Sequence, residues 1–266
     1  MKKMNRIKKI RIEDFRTDSL VMSEENRYVR YMPMLCIAQS TVGRYRISID
    51  DAPERETACK GVYVAPAYSR QAITHVLDEK TGTMCAHWLA LDVRVNGDYR
   101  LEDMFRIPTV LPTEYNREID AAIEEIASEE CNFLRKEQLM FRIVEILVLC
   151  SEPIDLRRTK ELSAALKWID QNPAEHAEVK KFSDMCHMSQ VVFFRKFKQV
   201  LGITSSSYCN RRRIALAMEL LETSDMSVTD VGIECGIPDA YYFSKIFKMY
   251  TDLAPTAFRS MMRYSK

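Results

Sequence analysis

Glycine is scarce in this sequence, and cysteine is never arranged in close pairs. The seven glycines among 266 residues form no glycine-rich loop of the kind that cradles phosphates in nucleotide-binding proteins. The eight cysteines include no CxxC pair, so we interpret them as reduced thiols rather than as disulfide partners or zinc ligands. We therefore expect neither a metal ion nor any other cofactor.

Long hydrophobic runs are also missing. No apolar run reaches the roughly 18 residues that a membrane span requires. The basic start of the chain is followed by charged residues such as Glu13 and Asp14, where a signal peptide needs an apolar stretch. These two absences predict a cytoplasmic protein without a membrane partner.

The residue sets of common enzymes are absent as well. His75 and His87 are the only histidines in the strand-rich part of the chain, and no His-x-His pair is available for a metal-dependent barrel enzyme. No nucleophile elbow of a Ser/His/Asp hydrolase is present. We therefore expect no enzymatic activity. His75, His87 and Trp88 are candidates for a small-molecule pocket, and ordinary packing is the alternative for all three.

The patterns that are present predict an α+β protein of two domains. Residues 35–112 contain β-rich runs at 42–49, 61–65 and 86–93, separated by turn residues, which favours a small antiparallel barrel or sandwich. From Glu114 the apolar residues follow a helical period. One stripe, suited to dimerisation or to packing on the barrel itself, consists of Leu139, Ile143, Ile146 and Leu147. The domains are expected at 1–150 and 160–266, with a linker at 151–159 that begins as Pro153 ends the helix.

The last hundred residues contain a diverged duplication. A shift of fifty positions superposes Phe193 on Phe243, Phe197 on Phe247 and Lys198 on Lys248. Each copy is predicted to form a helix, a short turn and a second helix, with Ser189 and Asp239 as the N-caps of the second helices. This order is the plan of the helix-turn-helix motif. Residues 208–222 are predicted to form one long helix between the copies.

The outer faces of the two second helices suit the major groove of DNA. On a helical wheel, the phenylalanines point inward, while apolar, hydrogen-bonding and cationic groups share the opposite face. Arginine can bond guanine through two hydrogen bonds, and cations neutralise phosphates. The residues predicted to contact phosphates are Gln190, Lys198, Arg211, Arg212 and Lys248. For Arg211 and Arg212 plain solvation is an equal alternative. The charge supports this division, because residues 160–266 carry 15 Lys and Arg against 12 Asp and Glu, which is +3, and the rest of the chain is at −2.

Over about 100 residues, from Leu162 to Arg259, the sequence resembles the AraC/XylS family of bacterial regulators. The matching segments are His187-Met-Ser, Phe193-Phe-Arg-Lys-Phe-Lys, Gly202, Tyr208, Arg213-Ile, Ala217, Leu220-Leu, Gly236-Ile-Pro-Asp-Ala-Tyr-Tyr-Phe-Ser-Lys-Ile-Phe-Lys, Pro255 and Arg259. Three positions depart from the family pattern: Gly232 replaces the usual Ala, Ile237 the usual Phe, and Asp252 the usual Gly. These departures concern local stability rather than DNA binding.

The resemblance implies a function and a set of contact residues. The positions implied to read bases are Val191, Phe194, Arg195, Ala240, Tyr241, Ser244 and Lys245. Arg213, which is also a matching position, is implied to be structural. In the family, an N-terminal cupin-like β-barrel commonly binds a small effector and is followed by dimerisation helices. The implied partners are therefore promoter DNA, RNA polymerase, a small-molecule effector and a second copy of the chain, and the implied outcome is activation of transcription, with repression as the alternative.

Two other functions remain as alternatives at this stage. One is an enzyme built on the barrel, which no catalytic set supports. The other is an interaction adaptor whose helix-turn-helix motifs have lost DNA binding, and the cations on both second helices argue against it. The salt dependence of binding separates an adaptor from a DNA-binding protein, because phosphate contacts make the affinity fall steeply with salt.

Overall fold

The computed structural model describes residues 7–32, 34–50, 52–96, 99–154, 161–201 and 203–264. Its contacts divide the chain into two compact units, Met1–Ile154 and Asp155–Lys266. The N-terminal unit is rich in strands and ends in helices, whereas the C-terminal unit is helical. The predicted α+β class with two parts is confirmed at this level.

The described residues of the N-terminal unit form two larger antiparallel sheets and one two-stranded sheet. The strands of the unit are β1 (Ile10–Met22), β2 (Asn26–Arg30), β3 (Leu35–Val42), β4 (Arg44–Ile49), β5 (Arg55–Glu56), β6 (Val62–Ala65), β7 (Gln71–Val76), β8 (Met84–Val95), β9 (Tyr99–Arg100), β10 (Phe105–Arg106) and β11 (Glu152–Pro153). The first sheet has the order β1-β8-β3-β6, with β9 paired to β8, and the second has the order β2-β7-β4-β5. Strands β10 and β11 pair with each other.

The two sheets bury a shared core between their inner faces. Because side chains alternate along a strand, every second residue points into this core. Fully buried members include Tyr45 and Ile47 from the second sheet and Cys36, Tyr63 and Met84 from the first. The core also takes in polar and aromatic groups, which are described below as part of the candidate site.

Gly43 accounts for a strand boundary that the sequence pattern missed. The strand predicted over 42–49 is confirmed over Arg44–Ile49 as β4, but its start is corrected, because Val42 ends β3 in the other sheet. Gly43 between them has φ +74°, and a Cβ at this position would lie 2.5 Å from the carbonyl oxygen of Val76. Only glycine combines this backbone conformation with so close an approach.

The expectation of a cupin-like barrel is corrected in one respect. Over the residues that the structure describes, the strands are hydrogen-bonded into separate sheets, and no closed barrel is seen. The strand region is also longer than predicted, since β1 and β2 precede residue 35. The physical reason is that the turn at Gly43 moves the chain from the first sheet to the second. The hydrogen bonds between strands therefore do not continue around a closed cylinder.

The helices of the N-terminal unit are α1 (Leu101–Met104), α2 (Asn116–Ala127) and α3 (Phe133–Cys150). The stripe proposed for dimerisation lies on α3. Ile143, Ile146 and Leu147 are fully buried within the unit, and Leu139 is half-buried. Ion pairs from Arg135 to Glu125 and from Arg142 to Glu118 join α3 to α2. The stripe therefore packs on its own unit, which was the alternative, and the three buried residues are unavailable to a second copy.

The proposed linker begins later than expected. Glu152–Pro153 forms β11 against Phe105–Arg106, and the amide of Ile154 donates to the carbonyl of Met104 at 2.9 Å. Residues 151–154 thus belong to the N-terminal unit. The rest of the predicted linker, 155–159, lies outside the described residues.

The C-terminal unit consists of seven helices in the part of the chain that is described. They are α4 (Ser163–Gln171), α5 (Val179–Met185), α6 (Gln190–Leu201), α7 (Ser205–Thr223), α8 (Val228–Glu234), α9 (Ala240–Thr251) and α10 (Pro255–Tyr264). The long helix between the two copies is confirmed as α7. Within the described ranges, no helix of the protein is both long and apolar enough to pass through a membrane.

Candidate functional site

The C-terminal unit holds two helix-turn-helix motifs, formed by α5 with α6 and by α8 with α9. Both second helices begin at the predicted N-caps. The Ser189 hydroxyl accepts from the amide of Val192 at 3.4 Å, and the Asp239 carboxylate accepts from the amide of Tyr242 at 2.7 Å. The turns repeat one another, because His187 at φ +53° and Gly236 at φ +72° each adopt the left-handed conformation. The duplication seen in the sequence is therefore also a duplication of backbone geometry.

Paired phenylalanines anchor α6 and α9 in their motifs. Phe193 and Phe197 are completely buried, with ring centroids 5.4 Å apart. Phe243 and Phe247 repeat this arrangement at 5.8 Å. Because these rings fix one side of each helix inward, the opposite side must face away from the motif's core.

The outward sides are the α6 face and the α9 face. The α6 face comprises Gln190, Val191, Phe194, Arg195 and Lys198, and all five are exposed. The α9 face comprises Ala240, Tyr241, Ser244, Lys245 and Lys248, of which only Ser244 is half-buried. Val191 and Tyr241, at equivalent positions of the two copies, have exposed fractions of 78% and 81%.

Four cations on these faces keep their charge unpaired within the described residues. Among the described residues, no carboxylate pairs with Arg195, Lys198, Lys245 or Lys248. Lys196 provides the contrast on the same helix, because it points away from the face and pairs with Glu161. Each face thus combines exposed apolar groups with unpaired positive charge, a combination that suits base edges and phosphates.

The arginine cluster of α7 divides differently from the prediction. Arg212 is corrected from a phosphate contact to a structural group, because its side chain is only 3% exposed and its Nη2 lies 2.6 Å from the Asp170 carboxylate. It also donates to the hydroxyl of Tyr208. Arg213 donates to the carbonyls of Pro173 and Glu175, each at 3.2 Å, which agrees with the structural role expected for it. Arg211 is half-buried and stays a candidate for phosphate contact.

The departures from the family pattern have local physical reasons. A Cβ on Gly232 would lie 2.9 Å from the carbonyl oxygen of Ile237 and 3.1 Å from Cγ of Phe243, so this copy packs too closely for the usual alanine. Asp252 has φ +62° at the end of α9, a conformation that Asp tolerates better than most residues other than glycine. Ile237 is buried beside this contact. Gly202, another matching position, lies outside the described residues.

A second candidate site lies between the two sheets of the N-terminal unit. His75 on β7 is 2% exposed, and neither ring nitrogen has a hydrogen-bond partner among the described residues. Burial, reinforced by the charge of Arg30, lowers the pKa of His75 to about 4, so the ring is neutral at neutral pH. Trp88 on β8 packs against the same core. Two of the three predicted pocket residues therefore face the space between the sheets.

His87 is corrected, because it lies on the other side of β8. Its Nε2 is 3.0 Å from the Asp120 carboxylate of α2. Neighbouring residues of a strand point to opposite faces, so Trp88 and His87 cannot share one pocket. Burial lowers the pKa of His87, and the nearby Asp120 and Glu124 oppose that shift.

The residue that sequence reasoning missed in this core is Arg30, at the end of β2. Its Nη2 donates to the hydroxyl of Tyr63 at 2.9 Å and to Sγ of Cys36 at 3.1 Å, while its Nε donates to Oε1 of Gln71 at 3.2 Å. The guanidinium carbon lies 5.9 Å from the ring centroid of Trp88. The alternation Tyr28-x-Arg30 was the available signal, but the run is too short and polar to be identified as a strand.

The comparisons with known proteins agree with this architecture. A family model described as a helix-turn-helix domain matches residues 182–261. The transcriptional activator RhaS of Enterobacter sp. is 30% identical over 181 residues, which are 68% of this chain and 60% of RhaS. The MmsAB operon regulatory protein of Pseudomonas aeruginosa is 32% identical over 120 residues, 44% of this chain and 39% of that protein. The chain thus spans at most three fifths of the length of these two curated relatives.

A solved structure shares the fold of nearly the whole chain. ToxT from Vibrio cholerae superposes with a TM-score of 0.64 at 13% identity, covering 94% of this chain and 99% of ToxT. Another ToxT structure, with unsaturated fatty acid bound, gives a TM-score of 0.64 at 14% identity, covering 93% of this chain and 95% of that one. The likeness to ToxT concerns the fold alone, whereas the matched domain and the relative RhaS, together with the two motifs and their repeated caps, confirm a helix-turn-helix domain of the AraC/XylS type in the C-terminal part of this chain.

Proposed function

We propose that this protein is a sequence-specific DNA-binding transcription regulator that activates its promoter. The α6 and α9 faces would lie in successive turns of the major groove, and Lys198, Lys248 and Arg211 would contact phosphates. Helix-turn-helix proteins read base edges with residues near the start of the second helix. The relatives RhaS and the MmsAB operon regulatory protein carry regulatory names, which supports the same role.

One observation carries this proposal. The same exposed and cationic face occurs twice, once on each second helix, and none of its four cations is paired within the described part of the protein. A solvated helix surface has no reason to keep Val191 and Tyr241 exposed at equivalent positions of both copies. A surface that contacts thymine methyl groups and phosphates does.

The decisive experiment is selection of bound sequences from a random duplex pool with the full chain. We expect a motif with two recognition segments about one helical turn, or ~34 Å, apart. The affinity for the selected duplex should fall steeply with salt, because each phosphate contact releases counterions. If the folded protein enriches no sequence, or if its affinity for the duplex does not change with salt concentration, the proposal is wrong and the adaptor is favoured.

Arg195→Ala tests the α6 face directly. We expect a loss of about 1–3 kcal/mol in binding to the selected duplex, together with a relaxed preference at a single base pair. Competition binding against duplexes with each of the four base pairs at that position measures both effects. The matched control is Lys196→Ala on the same helix, since Lys196 pairs with Glu161 instead of facing outward.

The outcome can separate the roles of these two residues. If Arg195→Ala leaves the base preference unchanged, Arg195 is not a base reader, even if the affinity falls. If Lys196→Ala relaxes the preference as strongly as Arg195→Ala, the assignment of the α6 face itself is wrong.

The N-terminal unit is proposed to bind a small-molecule effector in a cupin-like chamber between its sheets. Effector binding would shift the population of DNA-binding arrangements rather than create a new one. ToxT, which shares the fold, has been solved with a fatty acid bound, and this supports a ligand role for the unit.

The proposed partners follow from this role. They are promoter DNA, RNA polymerase and a second copy of the chain. The protein itself is proposed to act in the cytoplasm and to have no enzymatic activity. Since the stripe of α3 is largely buried, a homodimer would use its exposed apolar residues, Phe133, Leu134 and Leu149. Sedimentation equilibrium measures the mass of the assembly, and a monomer at all concentrations would exclude the dimer.

A further inference from the structure

We infer that the space between the two sheets holds the anionic group of an organic carboxylate with an apolar body, bound by the guanidinium of Arg30. This inference rests on the proposed effector role and specifies the chemical class of the effector. The charges around Arg30 do not balance. Among the described residues, no Asp or Glu pairs with Arg30, although its hydrogen-bond partners Tyr63 and Cys36 are fully buried.

The neighbours of Arg30 do not supply the missing negative charge. Burial raises the pKa of the Tyr63 hydroxyl well above its usual value, even though Arg30 acts in the opposite direction. Burial likewise raises the pKa of the Cys36 thiol. Both groups are therefore neutral at neutral pH, and Gln71 carries no charge. Arg30 itself is half-buried, and a partly enclosed cation whose hydrogen-bond partners are all neutral favours an accompanying anion.

Hydrogen-bond donors without acceptors surround the same place. Gln71 uses its Oε1 to accept from Arg30, which leaves its buried Nε2 without a partner in the described ranges. The neutral ring of His75 has one N–H, and this group also has no hydrogen-bond partner among the described residues. Gln71, Ile73 and His75 alternate along β7 on the inner face, so both donors point into the space that Arg30 occupies. Unmatched buried donors beside an unmatched cation call for an acceptor with negative charge.

The surrounding side chains define the rest of the ligand. The rings of Tyr28 and Tyr45 lie with their centroids 5.5 and 5.4 Å from that of His75. Partly buried Leu20, Met22 and Met32 complete an apolar lining. An inorganic anion would leave this lining without contacts, whereas an organic acid places its apolar body there and its carboxylate at Arg30.

The test compares carboxylates with their uncharged amides on the full chain in the absence of DNA. The probes are benzoate, 2-naphthoate and decanoate, each paired with its carboxamide, and binding is measured by titration calorimetry. We expect at least one acid to bind about tenfold or more tightly than its amide, because hydrogen bonds to a charged acceptor are roughly twice as strong as neutral ones. If no acid binds more tightly than its own amide, the inference is overturned.

Two variants assign the effect to this site. Arg30→Met removes the cation and should abolish the preference for the acid. Gln71→Glu is nearly isosteric and places a carboxylate where the Gln71 amide oxygen now lies, 3.2 Å from Nε of Arg30. This internal anion should raise the melting temperature and weaken acid binding at least tenfold. If Arg30→Met does not fold, Gln71→Glu still decides, since unchanged acid binding by that variant would refute the site.

The failure of this site and the failure of the proposed function give different results. If an acid binds but the affinity for the selected duplex does not change, the site exists but does not act as an effector switch. Normal duplex binding without any acid preference removes the site and retains the DNA-binding function.

Discussion

Gly236→Ala is expected to destabilise the C-terminal unit by about 2–5 kcal/mol, the sum of a backbone cost and a packing cost. Gly236 has φ +72° in the turn between α8 and α9, where a side chain adds about 1–2 kcal/mol. In addition, its Cβ would lie 1.9 Å from the carbonyl oxygen of Ala174. Because the obstacle is backbone rather than a flexible side chain, the turn must move.

Urea unfolding measures this loss, with tryptophan fluorescence as the signal. Trp88 lies in the N-terminal unit and Trp168 in the C-terminal unit, so a Trp88→Phe background reports on the C-terminal unit alone. The matched control is Gly82→Ala in a Trp168→Phe background, where Trp88 reports on the N-terminal unit alone. Gly82 also has positive φ, +64°, but no atom lies within 4 Å of its Cβ position. Gly82→Ala should show only the backbone cost. Equal losses in both variants would mean that the contact with Ala174 relaxes without cost.

Since the displaced turn sets the direction of α9, Gly236→Ala should also weaken binding to the selected duplex. This effect should persist at temperatures where the variant is still folded. Loss of stability with full retention of affinity and sequence preference would show that the α9 face does not depend on the geometry of its turn.

Asp170→Ala is expected to cost about 3–5 kcal/mol of folding stability, because it leaves a buried arginine without its counter-ion. The Nη2 atom of Arg212 is 2.6 Å from the Asp170 carboxylate, and the hydroxyl of Tyr208 donates to the same carboxylate at 3.1 Å. This network joins α4 to α7, the helix between the two motifs. Its loss should therefore disturb the support of both motifs together.

A double-mutant cycle separates the pair from its members. The cycle consists of Asp170→Leu alone, Arg212→Met alone and the two combined. The double variant replaces both charges by apolar groups, and it should recover most of the stability that Asp170→Leu alone loses. Arg212→Met alone also tests the correction of Arg212. A structural role predicts a large change in the urea midpoint with the salt dependence of DNA binding unchanged. A phosphate contact predicts the reverse, with the salt slope reduced by about 1.

The helical half of the protein could be predicted largely from the sequence, because its signals are local. Helix boundaries depend on caps such as Ser189 and Asp239, and inward faces depend on the spacing of Phe193 with Phe197 and its repeat. These interactions span at most one or two turns of helix. The duplication added a check, since the same pattern occurred twice at a fixed distance.

Burial of charge was decided only by the tertiary structure. Arg211, Arg212 and Arg213 are the same residue type in an unbroken run. Arg212 meets Asp170 of α4, whereas Arg213 donates to backbone carbonyls of the loop after α4. The partners lie about forty residues away, so no local pattern reveals which arginine is enclosed.

Long-range packing also decided which strand faces of the N-terminal unit form its core. Alternation in β8 already placed His87 and Trp88 on opposite faces, but only the packing of α2 determines which face is the core. Arg30, Cys36, Tyr63 and Gln71 come from four different strands and meet because the sheets stack. Sequence by itself thus determined the helix-turn-helix plan and its two outward faces, through short-range periodicity and capping. Long-range packing alone decided that Arg212 is enclosed in the C-terminal unit and that Arg30 lies between the sheets with no carboxylate partner among the described residues.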